Sequence, residues 1–254
     1  LSAKGRDGDA SLTALLDRYR IDLFVGVGLP LAARPGRPWR YTSAHLERES
    51  DWVLVQRGLR SAVYLRRSPR NAANLERIRA YYEAAGIPFD PETGLDVERV
   101  LFESTQWAID HGMAPIDFGE LVRVAEEGRG AVRRVARSRL AETYAALGLY
   151  ARAVEVDAVS DRESERFDAG RARRQVWLAM RLDRPGQASR HADRLAQRAP
   201  GDPLAQQLVA AARAYAATRD PVVRARISAV TPLFDSREAG GLRFVERPAP
   251  THHR

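Results

Sequence analysis

The 254-residue chain has no cysteine and a single lysine, Lys4. The missing cysteine excludes a disulfide scaffold, thiolate zinc sites, iron–sulfur clusters and a cysteine nucleophile. No run of about 18 consecutive apolar residues occurs, so no segment reads as a membrane-spanning helix. The chain opens on Leu1 without a secretory signal pattern and reads as a processed or excised piece. Catalytic signatures are also missing. Gly26 and Gly28 follow a strand-like run but lack the third glycine and the helix that a dinucleotide turn requires. There is no Walker A sequence, no HExxH and no GxSxG elbow. The histidines His45, His111, His191, His252 and His253 show no metal-ligand spacing, and Asp157, Asp161 and Asp168 no calcium-loop spacing. His45 beside Glu47, Glu49 and Asp51 reads as a loop histidine rather than an acid–base pair, because proximity in sequence is not geometry. The expectation is no catalytic, cofactor-binding or metal-binding residue in this chain.

What is present is charge, nearly all of it on arginine. Lys+Arg number 41 against 33 acids, a difference of +8, and 40 of the 41 are therefore Arg. Interleaved acids such as Glu126 and Glu127 dilute the field over a Debye length of about 8–10 Å. The densest basic stretch is GRGAVRRVARSRL, where Arg133 and Arg137 share one helix face and Arg134 lies on a neighbouring one. It fits a solvated face or an anion patch. No RNA-recognition aromatics, zinc-finger spacing or basic zipper accompany it. Nucleic acid is not an expected partner, although a basic anion or nucleic-acid binder stays as an alternative.

Periodicity places the elements. SLTALLDRYR reads as a short helix, and Ile21 to Val27 as a buried strand. Trp52–Gln56 and Ala62–Arg66 alternate apolar and polar residues as a hairpin. Trp39, Tyr41 and Trp52 either pack the proline-rich loop on the sheet or line a groove for a glycan or peptide. From Asn71 the pattern becomes helical: one helix closing at Gly86, a connector IPFDPETGLD, a second helix over VERVLFESTQWAIDHGM and a third over IDFGELVRVAEEG. Trp107 and Trp177 fall at apolar helical positions and read as core. The chain divides into a small α/β unit (1–70), connecting helices (71–128), helical repeats (129–219) and a tail (220–254) with one strand-like run, Leu242–Glu246.

The repeats carry the clearest organisation. RSRLAETYAALGLYARAVEV overlays RQVWLAMRLDRPGQASRHADRLAQRAP with a shift of 35 residues, pairing Ala153 with Ala188 and setting Pro200 at the repeat's end. Leu140, Tyr144, Gly148, Tyr150 and Ala153 fall on a pattern that resembles a tetratricopeptide repeat. Small Ala lets antiparallel helices approach, Gly supplies the turn and aromatics fill the gap between repeats. The second copy departs at Asp183, Pro185 and Gln175, which stand for the turn Gly, the second Tyr and the early Leu. A plain pair of antiparallel helical hairpins also fits. The fold class expected is mostly α, with a small N-terminal α/β unit followed by antiparallel helical hairpins of tetratricopeptide-like type.

A second likeness covers residues 18–90. The segments at Arg20–Val25, Trp52–Gln56 and Ser61–Arg67 resemble the soluble C-terminal region of bacterial membrane glycosyltransferases of the dolichyl-phosphate-mannose mannosyltransferase-like type. The resemblance implies an extramembrane appendage, membrane-associated on the extracytoplasmic (periplasmic) side through a segment upstream, with a cytoplasmic setting as the alternative. It carries over no catalytic residue, because that family's acidic residues lie in membrane loops absent here. The expected function is a non-catalytic protein-interaction module. The alternative is part of a lipid-linked sugar transferase whose active site lies outside the chain, and the sheet should then present an unpaired edge.

Overall fold

A computed structural model describes residues 12–27, 46, 47, 49–59, 61–163, 167–201 and 203–218. Among the described residues the chain is mostly helical with a small antiparallel sheet, as the periodicity predicts. Lys4, Trp39, Tyr41, His45, His252, His253 and the strand expected at Leu242–Glu246 lie outside them.

Helix α1 (Leu12–Arg18) leads into a three-stranded sheet of β1 (Leu23–Val27), β2 (Trp52–Arg57) and β3 (Ser61–Arg66), ordered β1-β3-β2. Alternation sorts its side chains onto two faces. Phe24, Trp52, Ala62 and Tyr64 pack with Leu16 of α1 and with Leu46. Val53, Val55 and Leu65 pack on the other face with Leu75 of α2 (Ala72–Ala84). Tyr82 completes that contact, its hydroxyl donating to the Val55 carbonyl at 2.7 Å.

Two elements differ from the expected ones. The connector after α2 is a hairpin, β4 (Phe89–Asp90) with β5 (Gly94–Leu95). Asp90 Oδ1 accepts the N–H groups of Glu92 and Thr93 and closes the turn. Gly94, at φ +87°, lies where a Cβ would sit 2.6 Å from the Leu54 carbonyl oxygen, so only glycine lets the hairpin rest against β2. The helix expected over residues 97–112 is broken into α3 (Val97–Glu103) and α4 (Thr105–Asp110). Ser104 between them leaves the helical region, at φ −135° and ψ 45°, and Thr105 Oγ1 donates back to the Leu101 carbonyl.

The chain then runs as helical hairpins: α5 (Phe118–Glu127), α6 (Gly130–Ala146), α7 (Tyr150–Glu163), α8 (Ala169–Arg181), α9 (Pro185–Arg198) and α10 (Pro203–Thr218). The 35-residue shift maps the end of α6 onto the end of α8 and both bounds of α7 onto those of α9. The connecting turns match bond for bond. Gly148 N–H donates to Ala145 O and Leu149 N–H to Tyr144 O; Asp183 N–H donates to Met180 O and Arg184 N–H to Ala179 O. Both are Schellman turns with a left-handed residue at the same place, Gly148 at φ +83° and Asp183 at φ +57°. Leu140, Tyr144 and Tyr150 are buried, and Ala153 and Ala188 have no exposure at all, as close helix approach requires. Pro200 stands exposed in the turn between α9 and α10.

One hydrophobic core runs from Tyr82 through α3, α5 and α6 to Trp177 and Leu178, so the connecting helices and the first repeat share an interior. A second core joins α8, α9 and α10. Trp177 is fully buried, as expected; Trp107 is only partly so and stacks on His111. No helix among the described residues is long and apolar enough to cross a membrane.

Candidate functional site

Buried charge marks two places. The first lies where the sheet unit meets the repeats, around Glu47, which directly follows the core residue Leu46. Arg57 comes from the last position of β2, Tyr150 from the first position of α7 and Arg181 from the last turn of α8. Arg57 Nη1 donates to Glu47 Oε1 at 3.0 Å, and Arg181 Nη2 binds Glu47 Oε2. The Tyr150 hydroxyl donates to Glu47 at 2.6 Å. Arg57 also spends Nε and Nη2 on the Ala146 carbonyl, at 3.0 and 2.7 Å, and so caps the C-terminal end of α6. Gly148 lies beside this fork: a Cβ there would touch Arg57 and Glu47 side-chain atoms at 3.6–3.8 Å, ordinary contact distances. Tyr150 stands edge-on to Trp177 at 5.3 Å, and the Arg181 guanidinium lies 5.3 Å from the Tyr150 ring centroid.

The electrostatics follow from burial and pairing. Burial pushes the Glu47 carboxyl up, but Arg181, Arg57 and the Tyr150 hydroxyl overcome it and hold it at about 2. Burial and the Glu47 charge push Tyr150 up to about 12. Burial works against both charged guanidiniums, yet Glu47 keeps Arg57 above its ordinary value, and Tyr150 with Glu47 does the same for Arg181. A carboxylate locked below its ordinary range between two cations accepts no proton near neutrality. This arrangement joins elements rather than moving protons.

The second place is the seam between α6, α7 and α8. Arg174 gives Asp157 two bonds, at 2.9 and 2.6 Å, and Glu142 one, at 3.2 Å, with Ser138 Oγ at 3.4–3.5 Å. One guanidinium thus serves two carboxylates, and Asp157 has the better share. Burial therefore dominates at Glu142, with the neighbouring Asp157 charge adding to it, and lifts its carboxyl to about 7 despite Arg174. Beside it, Asp161 collects Arg171, Gln175 and Arg194 at 2.9–3.1 Å.

The other residues singled out by sequence sit elsewhere. Arg133, Arg134 and Arg137 lie on α6, where Arg137 Nε donates to the Ala125 carbonyl at 2.8 Å and closes the last turn of α5. Arg134 is exposed, and Arg133 is half-buried. The two repeat tyrosines do different work: Tyr144 packs among Phe118 and Phe102, whereas Tyr150 serves Glu47. Glu47, Arg57 and Arg181 carry no pattern in the sequence. Their separations of 10 and 134 residues leave nothing to periodicity. No group of three or more potential metal ligands occurs among the described residues. No protein-family model, curated protein or solved structure matches the chain.

Proposed function

We propose that this chain is a non-catalytic, extramembrane protein-interaction module with tetratricopeptide-like helical repeats, the soluble tail of a membrane-bound glycosyltransferase. The observation that carries the repeat reading is the 35-residue register, in which helix bounds, left-handed turn residue and turn hydrogen bonds coincide. Stacked hairpins of this type serve as rigid scaffolds for partners. Of the repeat helices, α8 is already engaged. Every residue of Arg171–Arg181 in α8 is buried, and Arg181 is held by Glu47. A partner therefore does not dock along α8.

A second reading, part of a lipid-linked sugar transferase whose active site lies upstream, draws support from the sheet edge. Among the described residues nothing pairs with the outer edge of β1, and Leu23 and Val25 on it are 54% and 67% exposed. The test for both is the mass and extraction behaviour of the natural gene product, detected with an antibody to this region. A product well above 28.3 kDa that leaves the membrane only with detergent is the expected result. A product near 28.3 kDa recovered without detergent overturns the membrane-linked readings and leaves a free-standing repeat protein.

A further inference from the structure

Among the described residues the outer edge of β1 is unpaired, and it has the make-up of a docking strand. Arg66 N–H donates to the Asp22 carbonyl at 2.7 Å, which fixes Asp22 and Arg66 as a hydrogen-bonded pair. Antiparallel pairs alternate, so Phe24 and Gly26 also turn their polar backbone groups toward β3, whereas Leu23 and Val25 turn theirs outward. Edge strands are ordinarily protected by charge, proline or a bulge. Leu23–Val27, LFVGV, has no charged residue and no proline, and its register with β3 runs without interruption.

The side chains beside this edge form a ledge. Leu23 pairs with Leu65 and Val25 with Val63, on the face that α2 covers over Val53, Val55 and Leu65. Among the described residues that cover stops short of β1, and Ile21, Leu23 and Val25 alternate as exposed apolar residues. The chain around the β1 start is rich in arginine. Arg18 and Arg20 just before β1 are exposed, as is Arg70, which reaches Asp22 at 3.3 Å from the 3-10 turn that precedes α2. The acids at that end are engaged: Asp17 binds Arg66, and Asp22 binds Arg70.

We propose that the β1 edge receives an extended peptide segment of another protein. The segment pairs antiparallel to β1, sets alternate apolar residues on the ledge and carries acidic residues toward its C-terminal end. Antiparallel pairing is the stronger ladder, and it brings the C-terminal end of the segment to Arg18, Arg20 and Arg70. A second copy of this chain is a poorer occupant. Each copy carries a net +8, and a five-residue strand contact falls far below the roughly 800 Å² per partner of a stable dimer. The inference rests on the interaction-module reading and places its surface on the sheet rather than the repeats.

The test is fluorescence anisotropy with two labelled ten-residue peptides of alternating Val and Thr, one ending in Asp-Asp and one in Lys-Lys. The acidic peptide binds; the lysine peptide binds at least about tenfold more weakly, and the difference shrinks in high salt. Val25→Lys abolishes binding while the circular dichroism spectrum and Tm stay unchanged, because Val25 lies on the open ledge. Arg70→Glu weakens the acidic peptide alone. Equal binding of the two peptides, undiminished binding to the Val25→Lys variant, or no binding of either overturns the proposal. So does a concentration-dependent dimer, seen by sedimentation, that Val25→Lys abolishes. The membrane-linked readings, judged on the natural product's mass and extraction, survive a failure here, so the two failures are distinguishable.

Discussion

At the residue scale, the part-buried Glu47 and the buried Glu142 are carboxylates with opposite consequences for stability. Glu47 titrates near 2 in the folded chain against an ordinary 4.5, so its contribution is present above pH 4.5 and is lost as pH falls toward 2. Glu142 titrates near 7, so the folded state holds a proton that the unfolded chain has already released. Its contribution is complete below pH 4.5 and is lost as pH rises through 7. At about 1.4 kcal/mol per pH unit, each group is worth up to about 3 kcal/mol over its window. Urea unfolding followed from pH 5 to 8 should show stability declining for the wild-type chain. Glu142→Gln should flatten that decline and gain stability at pH 8, since an amide still accepts from Arg174. An unchanged slope would mean that Glu142 does not titrate there.

The Glu47 cluster makes a second prediction at the same scale. Glu47→Ala leaves two buried guanidiniums around an empty place and should cost about 3–5 kcal/mol. Tyr150→Phe removes one bond to a charged acceptor and should cost roughly 1.5–3 kcal/mol. The two losses should not add: in the Glu47→Ala background Tyr150→Phe should cost almost nothing. A double-mutant cycle by urea unfolding reads this directly. Additive losses would show that the hydroxyl acts independently of the carboxylate.

At the element scale the two hairpin turns solve one problem with different residues. Both need a left-handed residue after the helix, and glycine meets that need without strain. Asp183 tolerates it, as short polar side chains do, and also accepts a hydrogen bond from the Tyr215 hydroxyl of α10. Gly148→Ala should therefore cost about 1 kcal/mol by strain alone, since a Cβ there meets only ordinary contacts. Asp183→Ala should cost more, roughly 2–3 kcal/mol, because it adds a lost bond to α10. Differential melting checks the order, at about 2–4 °C per kcal/mol for a chain of this size. The departure at Asp183 thus preserves the turn. The break at Ser104 and the hairpin at Asp90 are harder to read: apolar residues resume at Trp107 after the polar run from Glu103 to Gln106, as in a continuous helix, and the hairpin is only two residues per strand.

At the scale of the whole molecule, the sheet unit and the repeats are joined by ion pairs that also cap helices. Arg57 closes α6 through Ala146 and, through Glu47, reaches the start of α7 and the end of α8. One carboxylate fixes three helix ends against one strand. The sequence by itself determined what local spacing governs: strands of period two, helices of period 3.6, the 35-residue repeat and small alanines where helices touch. Those signals are local because each arises from backbone geometry repeated along a few turns. Only the tertiary structure decided which of 40 arginines are buried, which acids meet them and which sheet edge goes unpaired among the described residues. Charge pairing has no period: Glu47 and Arg181 lie 134 residues apart, and long-range Coulomb partners are chosen by packing rather than by spacing.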